Sequence, residues 1–316
     1  VNAGTIKNLT VAGSVSGKDY VAGIAARNSG TISGCTNEAE IKSADEETGY
    51  AGGIAATQDK DCLIEKCVNR GSVSGGDVAG IVSVIVQTKV YNCMNTGAVT
   101  GSVNAGGLVG YVKDAYSAGD RSEVYGCYNL GAVTGTSDTG YTGGLASDIG
   151  RSNRIWYAYN AGTVTSPSSN HGAIAGRESG YTKAIYYLDT SSDKRCVNMS
   201  PNSINKTDKA MRKAAMVTML NNGETYYKEN PENGYPLLLW QESNGTEKEA
   251  VEYIKEIGSV EYLKKFVETV NNGDCDYIGE TVVLTKDIDF SAETWTPIGE
   301  RASDRYASLD TITTSE

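Results

Sequence analysis

Aligned on its Cys-x-Asn motifs, the chain repeats three apolar columns through residues 1–199. With the cysteine as position zero, position −3 reads Ile6, Ile32, Ile64, Val90, Val124, Ile155 and Ile185. Position zero reads Leu9, Cys35, Cys67, Cys93, Cys127, Ala158 and Leu188, and position +6 reads Val15, Ile41, Val73, Val99, Val133 and Val164. Between these columns the residues are polar or glycine. Small and β-branched residues at fixed phase are what the inward positions of stacked short strands require. Successive motif asparagines from Asn37 to Asn160 are 32, 26, 34 and 31 residues apart, so the length variation falls in loops between the columns. Such repeats are too short for propeller blades, and they lack the long helical period of a helical repeat. The pattern predicts an all-β-dominated fold: a parallel β-solenoid, or β-helix, of about six coils over residues 1–199, right-handed by the usual crossover rule.

Position +2 reads Asn37, Asn69, Asn95, Asn129 and Asn160. One asparagine per coil at one phase predicts a structural ladder, each amide bonding the next. The rest of the chain reads as a small α/β C-terminal extension. Residues 200–243 are expected to cap the solenoid's end. They hold a helix over 207–221 that starts at Thr207, presents Ala210, Ala214, Val217 and Leu220, and stops at Asn222-Gly223. A strand over Tyr235–Gln241 follows. Residues 244–273 read as a helical linker, with helices at 247–257 and 260–270 broken at Gly258-Ser259. Residues 274–316 read as the start of a further β module, with alternation through Thr281–Phe290 and then Trp295-Thr296-Pro297-Ile298-Gly299.

The Asn-Cys-x-Asn-x-Gly-x-Val-x-Gly pattern and Gly106-Gly107-Leu108-Val109-Gly110 resemble the GLUG-motif repeats of large secreted bacterial surface proteins. The resemblance covers residues 1–199. It departs at Glu38-Ala39, where glycine is usual, and in the last coils, which lack the cysteine. It implies an extracellular module that is secreted or attached to the cell surface through other regions. Such repeats occur in adhesin-like proteins and in the non-catalytic parts of some secreted peptidases.

Charge and composition narrow the chemistry. The 316-residue chain has a net charge of −11, which argues against a nucleic-acid partner. Residues 1–199 carry 16 basic and 18 acidic side chains; residues 200–316 carry 12 and 21. No apolar run is long enough for a membrane-spanning helix. The one histidine, His171, lies beside a Ser-Ser-Asn turn and reads as a turn residue rather than a base. Zinc needs four thiolate or imidazole ligands, and the spacing of the seven cysteines does not supply them. The column Cys35, Cys67, Cys93, Cys127 reads as small core residues, leaving Cys62 in a variable loop as the exposed thiol. Clustered oxygens at Asp59/Asp61 and Asp287/Asp289 leave calcium as the one open cofactor, with none otherwise expected. No outward column places acids on adjacent coils, so no catalytic residues are expected.

One surface feature points to a ligand. Position −2 reads Tyr91, Tyr125, Trp156 and Tyr186, and position +1 adds Met94, Tyr128 and Tyr159. Position −2 neighbours an inward position and should face out. An exposed aromatic stripe would suit a glycan or a host or cell-surface protein, although stacked aromatics also stabilise a sheet. The sequence thus reads as a non-enzymatic adhesin-like module. The alternative is a structural spacer of a larger secreted peptidase or polysaccharide-degrading enzyme.

Overall fold

The computed structural model describes residues 1–194 apart from Tyr116 and Ala118, residues 203–241 apart from Asn233, and residues 254, 256–271 and 281–289. The described residues are dominated by strands that pair in parallel between successive turns of chain. They divide into two units, one formed by 1–207, 220–227 and 238–241, the other by 208–219, 228–237 and the residues from 242 on.

In the first unit each turn of chain, here called a coil, feeds three sheets in the same order. Coil four is representative: Lys89–Tyr91 and Met94–Asn95 join the first sheet, Val99–Gly106 the second, and Val109–Val112 the third. The apolar columns lie in register. Ile64 pairs with Val90, Val90 with Val124 and Val124 with Ile155. Val73 pairs with Val99, and Val99 with Val133. In the third sheet Val82 pairs with Val109, and Val109 with Ala146.

Positions −3 and zero are both buried, although three residues apart on one strand they would point to opposite faces. The residue at −1 resolves this. Asn8, Lys66, Asn92, Tyr157 and Ala184 have φ of 54°, 53°, 54°, 55° and 49°, and Gly34 and Gly126 have 64° and 58°. A left-handed corner on every coil therefore turns the chain so that Ile32 and Cys35, and their equivalents, enter one core.

The same corner corrects the register of the last coil. Ala184 is its left-handed residue, so Ile185 stands under Ala158 at position zero, and Thr182 pairs with Ile155 at −3. The expected placement of Ile185 at −3 and Leu188 at zero is three residues out. Thr182 is accepted at an inward position because its hydroxyl donates to Glu178 at 2.9 Å. At the other end Leu9 is 42% exposed rather than inward, because it lies on the outermost coil of the stack.

The motif asparagines join side chain to side chain. Asn37 Nδ2 donates to Asn69 Oδ1 at 2.7 Å, Asn69 to Asn95 at 2.7 Å, Asn95 to Asn129 at 2.7 Å and Asn129 to Asn160 at 2.8 Å. Each Nδ2 also donates to the carbonyl two residues on, as Asn95 does to Gly97 at 2.9 Å. All five are fully buried. Across the interior they abut the glycines of the Gly-Gly-apolar runs. A Cβ on Gly80 or Gly107 would collide with the side chain of Asn95 or Asn129 and with the next coil's carbonyl. The two motifs are thus one device, a polar seam between two apolar clusters.

A second buried polar column has no counterpart in the sequence reading. Asn2 donates to Asn28 at 2.8 Å, Gln58 to Thr88 at 2.6 Å, and the Ser122 amide to Asn153 at 2.7 Å. Its residue type changes from coil to coil, so no repeated letter marks it.

The C-terminal expectations change more. The helix over 207–221 is two, α1 (Asp208–Met211) and α2 (Ala214–Asn221), separated by a turn with i→i−3 hydrogen bonds at Arg212 and Lys213. The strand over Tyr235–Gln241 is reduced to Leu237–Leu238. Most of the helix expected over 247–257 lies outside the described residues. Its described end, Glu256–Ile257, is instead a strand paired in parallel with Val283–Leu284. Residues 260–270 do form a helix, α3 (Val260–Asn271), whose start is held by Ser259 Oγ and carbonyl contacts to Tyr262 and Leu263. Phe266 and Val267 pack with Ala215, Ile254 and Ile257 in a core of the second unit. Trp295–Gly299 lies outside the described residues.

Candidate functional site

The stripe is a ladder of rings. Tyr91 and Tyr125 stack with centroids 5.4 Å apart and planes 15° apart; Tyr125 and Trp156 stack at 5.2 Å and 6°. The strand pairs carrying them are in register, which sets one ring on the next. Tyr186 is not the fourth rung. The corrected register puts Lys183 beside Trp156 and sets Tyr186 beside Tyr159.

The hydroxyl ends are tied down. Tyr91 donates to Glu123 Oε2 at 2.6 Å and Tyr125 to Glu123 Oε1 at 3.0 Å. Arg154 Nη1 reaches the same carboxylate at 3.5 Å and the Tyr125 oxygen at 3.4 Å. Burial, ahead of the Glu123 contact, pushes the Tyr91 phenol well up, and burial raises Tyr125 to about 12. Cations sit over the rings: Arg154 is 4.4 Å and Lys183 5.5 Å from the Trp156 centroid, and Lys89 is 6.0 Å from that of Tyr91.

The +1 column is a second stack, and it is covered. Tyr128 and Tyr159 lie 4.8 Å apart at 7°, and they are 1% and 0% exposed. The expectation that Tyr128, Tyr159 and Tyr186 line a ligand surface is therefore overturned, since all three are buried. Two later segments of the first unit, Leu220–Tyr227 and Leu238–Gln241, form a strap over this column. Their backbones meet at Leu239 N and Tyr226 O, 3.0 Å apart. The one Tyr227 O–H is shared between the carbonyls of Cys127 at 2.9 Å and Tyr157 at 2.8 Å. Trp240 Nε1 donates to the Asn92 carbonyl at 2.9 Å, and Gln241 accepts from Tyr128 OH at 3.0 Å. Tyr226 stacks on Tyr157 at 5.0 Å. These segments were expected to close the end of the stack. They lie on its flank, where their side chains bond the carbonyls of Asn92, Cys127 and Tyr157 beside the left-handed corners.

No protein-family model matches the chain, and no curated protein does. Among solved structures the chain is similar to one from Bacteroides ovatus described as "a putative immunoglobulin A1 protease". The TM-score is 0.52 at 19% identity, over 75% of this chain and 76% of that one. At that identity the likeness speaks for the fold alone.

The remaining candidates are engaged in structure. His171 has Nδ1 2.6 Å from the Ser168 carbonyl and Nε2 2.6 Å from Asp193 Oδ1, so both ring nitrogens face acceptors. Asp59, half of one candidate calcium pair, bonds Arg27 at 2.8 Å and Ser29 at 2.6 Å, and the Arg27 contact lowers its pKa. Among the described residues no three His, Cys, Asp or Glu side chains gather as a metal site. Cys62, expected to be exposed, is 4% exposed; its sulfur packs 3.2 Å from the Lys60 carbonyl. Burial pushes the Cys93 thiol far up, which keeps it protonated in the core column.

Proposed function

We propose that this chain is a non-enzymatic structural module, a right-handed β-solenoid of the GLUG-repeat kind, within a larger secreted protein of the peptidase type. One observation carries the reading: stacking takes both faces of Tyr125 and one face each of Tyr91 and Trp156, and Glu123 takes both phenolic hydroxyls. Sugar platforms need free ring faces, whereas a spine needs stacked ones. The likeness to the Bacteroides ovatus structure supports the same family of architectures. The adhesin-like reading, in which the chain displays a glycan- or host-protein-binding face, is favoured by a different feature, the basic side chains gathered on the stripe.

The test is a Tyr91→Ala, Tyr125→Ala, Trp156→Ala variant in a urea unfolding series. Removal of two stacked pairs should cost about 2 kcal/mol or more. Unchanged stability would refute the spine.

A further inference from the structure

We propose that the outward face of coils four to seven binds an acidic carbohydrate, a glycan bearing one carboxylate per disaccharide, through Lys89, Arg154 and Lys183. The chain as a whole is acidic, with 39 acidic against 28 basic side chains. This face departs from that balance. From coil four onward, positions −4 and −2 carry Lys89, Tyr91, Glu123, Tyr125, Arg154, Trp156, Tyr181 and Lys183. The one acid among them, Glu123, already accepts two phenolic hydroxyls and faces Arg154.

Three features suit an anion. The first is ring orientation. Stacking hides the negative ring faces and turns the positive ring edges outward. The second is preorganisation. Arg154 and Lys183 are held over Trp156, and Lys183 Nζ is steadied by Tyr157 OH at 3.0 Å, so little side-chain freedom is lost when a ligand arrives. Neither cation has used up its donors. Among the described residues the Arg154 guanidinium makes no hydrogen bond shorter than 3.4 Å, and the Lys183 ammonium uses one of three donors. The third is spacing. Lys89 and Arg154 share the −4 column two coils apart, about 10 Å at the usual strand spacing. That separation matches one disaccharide repeat, so an acidic glycan running along the stack would meet both. Tyr181 follows Arg154 in the same column and is 62% exposed, offering a ring for a sugar face outside the ladder.

The experiment is calorimetric titration of the whole chain with three probes. These are an oligosaccharide of alternating uronate and neutral sugars, its carboxyl-reduced form, and poly-glutamate of similar charge. Binding of the acidic oligosaccharide alone is expected, with an affinity that falls as salt is raised. Arg154→Gln with Lys183→Gln should weaken it at least about tenfold. Tyr181→Ala, on a side chain outside the ladder, should weaken it without changing the melting temperature. Absence of binding, equal binding of the reduced glycan, or equal binding of poly-glutamate would each overturn the proposal. Affinity unchanged in both variants would do so as well. None of these outcomes depends on whether the module is a spacer, which the urea series decides separately.

Discussion

In coils two and three the positions beside the left-handed corner carry Ser33 and Glu65, and Thr36 and Val68. In coils four to six the same positions carry Tyr91, Tyr125 and Trp156, and Met94, Tyr128 and Tyr159. The apolar columns, the corners and the asparagine seam run through both regions without a break. The frame therefore does not depend on aromatic rings. They are an addition, found on the coils where Tyr227 and Trp240 take the corner carbonyls. The seam builds coils; the stripe and strap secure some of them.

If that division holds, the seam should be the costlier part to break. Asn95→Ala removes the acceptor of Asn69, the donor to Asn129 and the bond to Gly97, all in a fully buried place. Orphaned buried polar groups cost about 1–3 kcal/mol each, so a loss of about 4 kcal/mol is expected in chemical denaturation. A loss below that of any single stripe substitution would reverse the ranking.

Alkali should act on the aromatic coils through their phenols, beside the raised thiols of the cysteine column that both regions share. Burial raises Tyr128 and Tyr186 to about 12, and pushes Tyr227 far up. Above pH ~10 the unfolded chain releases phenolic protons that the folded chain keeps. The folded state then binds more protons, so stability falls as pH rises. The contribution is intact below pH ~10 and is lost progressively through about 12, amounting to about 3 kcal/mol for Tyr128. Tyrosinate absorbance should therefore appear together with loss of circular dichroism in that window. Phenols that titrate before any unfolding would show that the strap does not seal them.

Tyr227→Phe keeps the ring and removes one hydroxyl shared by two corner carbonyls, Cys127 and Tyr157. A loss of about 2 kcal/mol is expected, with the transition of Asn95→Ala displaced further. A null effect would mean that water replaces the hydroxyl and that the strap is held by packing alone.

What the sequence made legible follows the same division. The seam repeats one letter at one phase, so Asn37 to Asn160 could be read as a column, as could the isoleucines and valines beside it. The last coil could not be phased, because Thr182, Ile185 and Leu188 offer apolar-compatible positions three apart in two registers; the left-handed Ala184 decides between them, and nothing in its letter announces that. Burial of Tyr128 was equally hidden. Its cover comes from Gln241, 113 residues on, and Tyr227 reaches Cys127 across 100. A stripe looks exposed in any reading confined to its own repeat.

The smallest predicted effect has the opposite sign. Lys66 holds a left-handed corner at φ 53°, where the equivalent residues of the flanking coils are Gly34 and Asn92. A lysine Cβ in that conformation crowds the following carbonyl, at a cost of about 1–2 kcal/mol, which glycine avoids and asparagine reduces. Glycine also frees the unfolded chain, which takes back part of the gain. Lys66→Asn should therefore stabilise the frame by about 0.5–1 kcal/mol, and Lys66→Gly by no more. The Lys66 amide donates to the Tyr91 carbonyl at 3.0 Å, a main-chain bond that neither set of substitutions removes, so the gain should be the same in the wild-type chain and in the Tyr91, Tyr125, Trp156 alanine variant. A gain that vanished with the rings removed would mean that frame and stripe are coupled, and that the contrast between the two regions is one of degree.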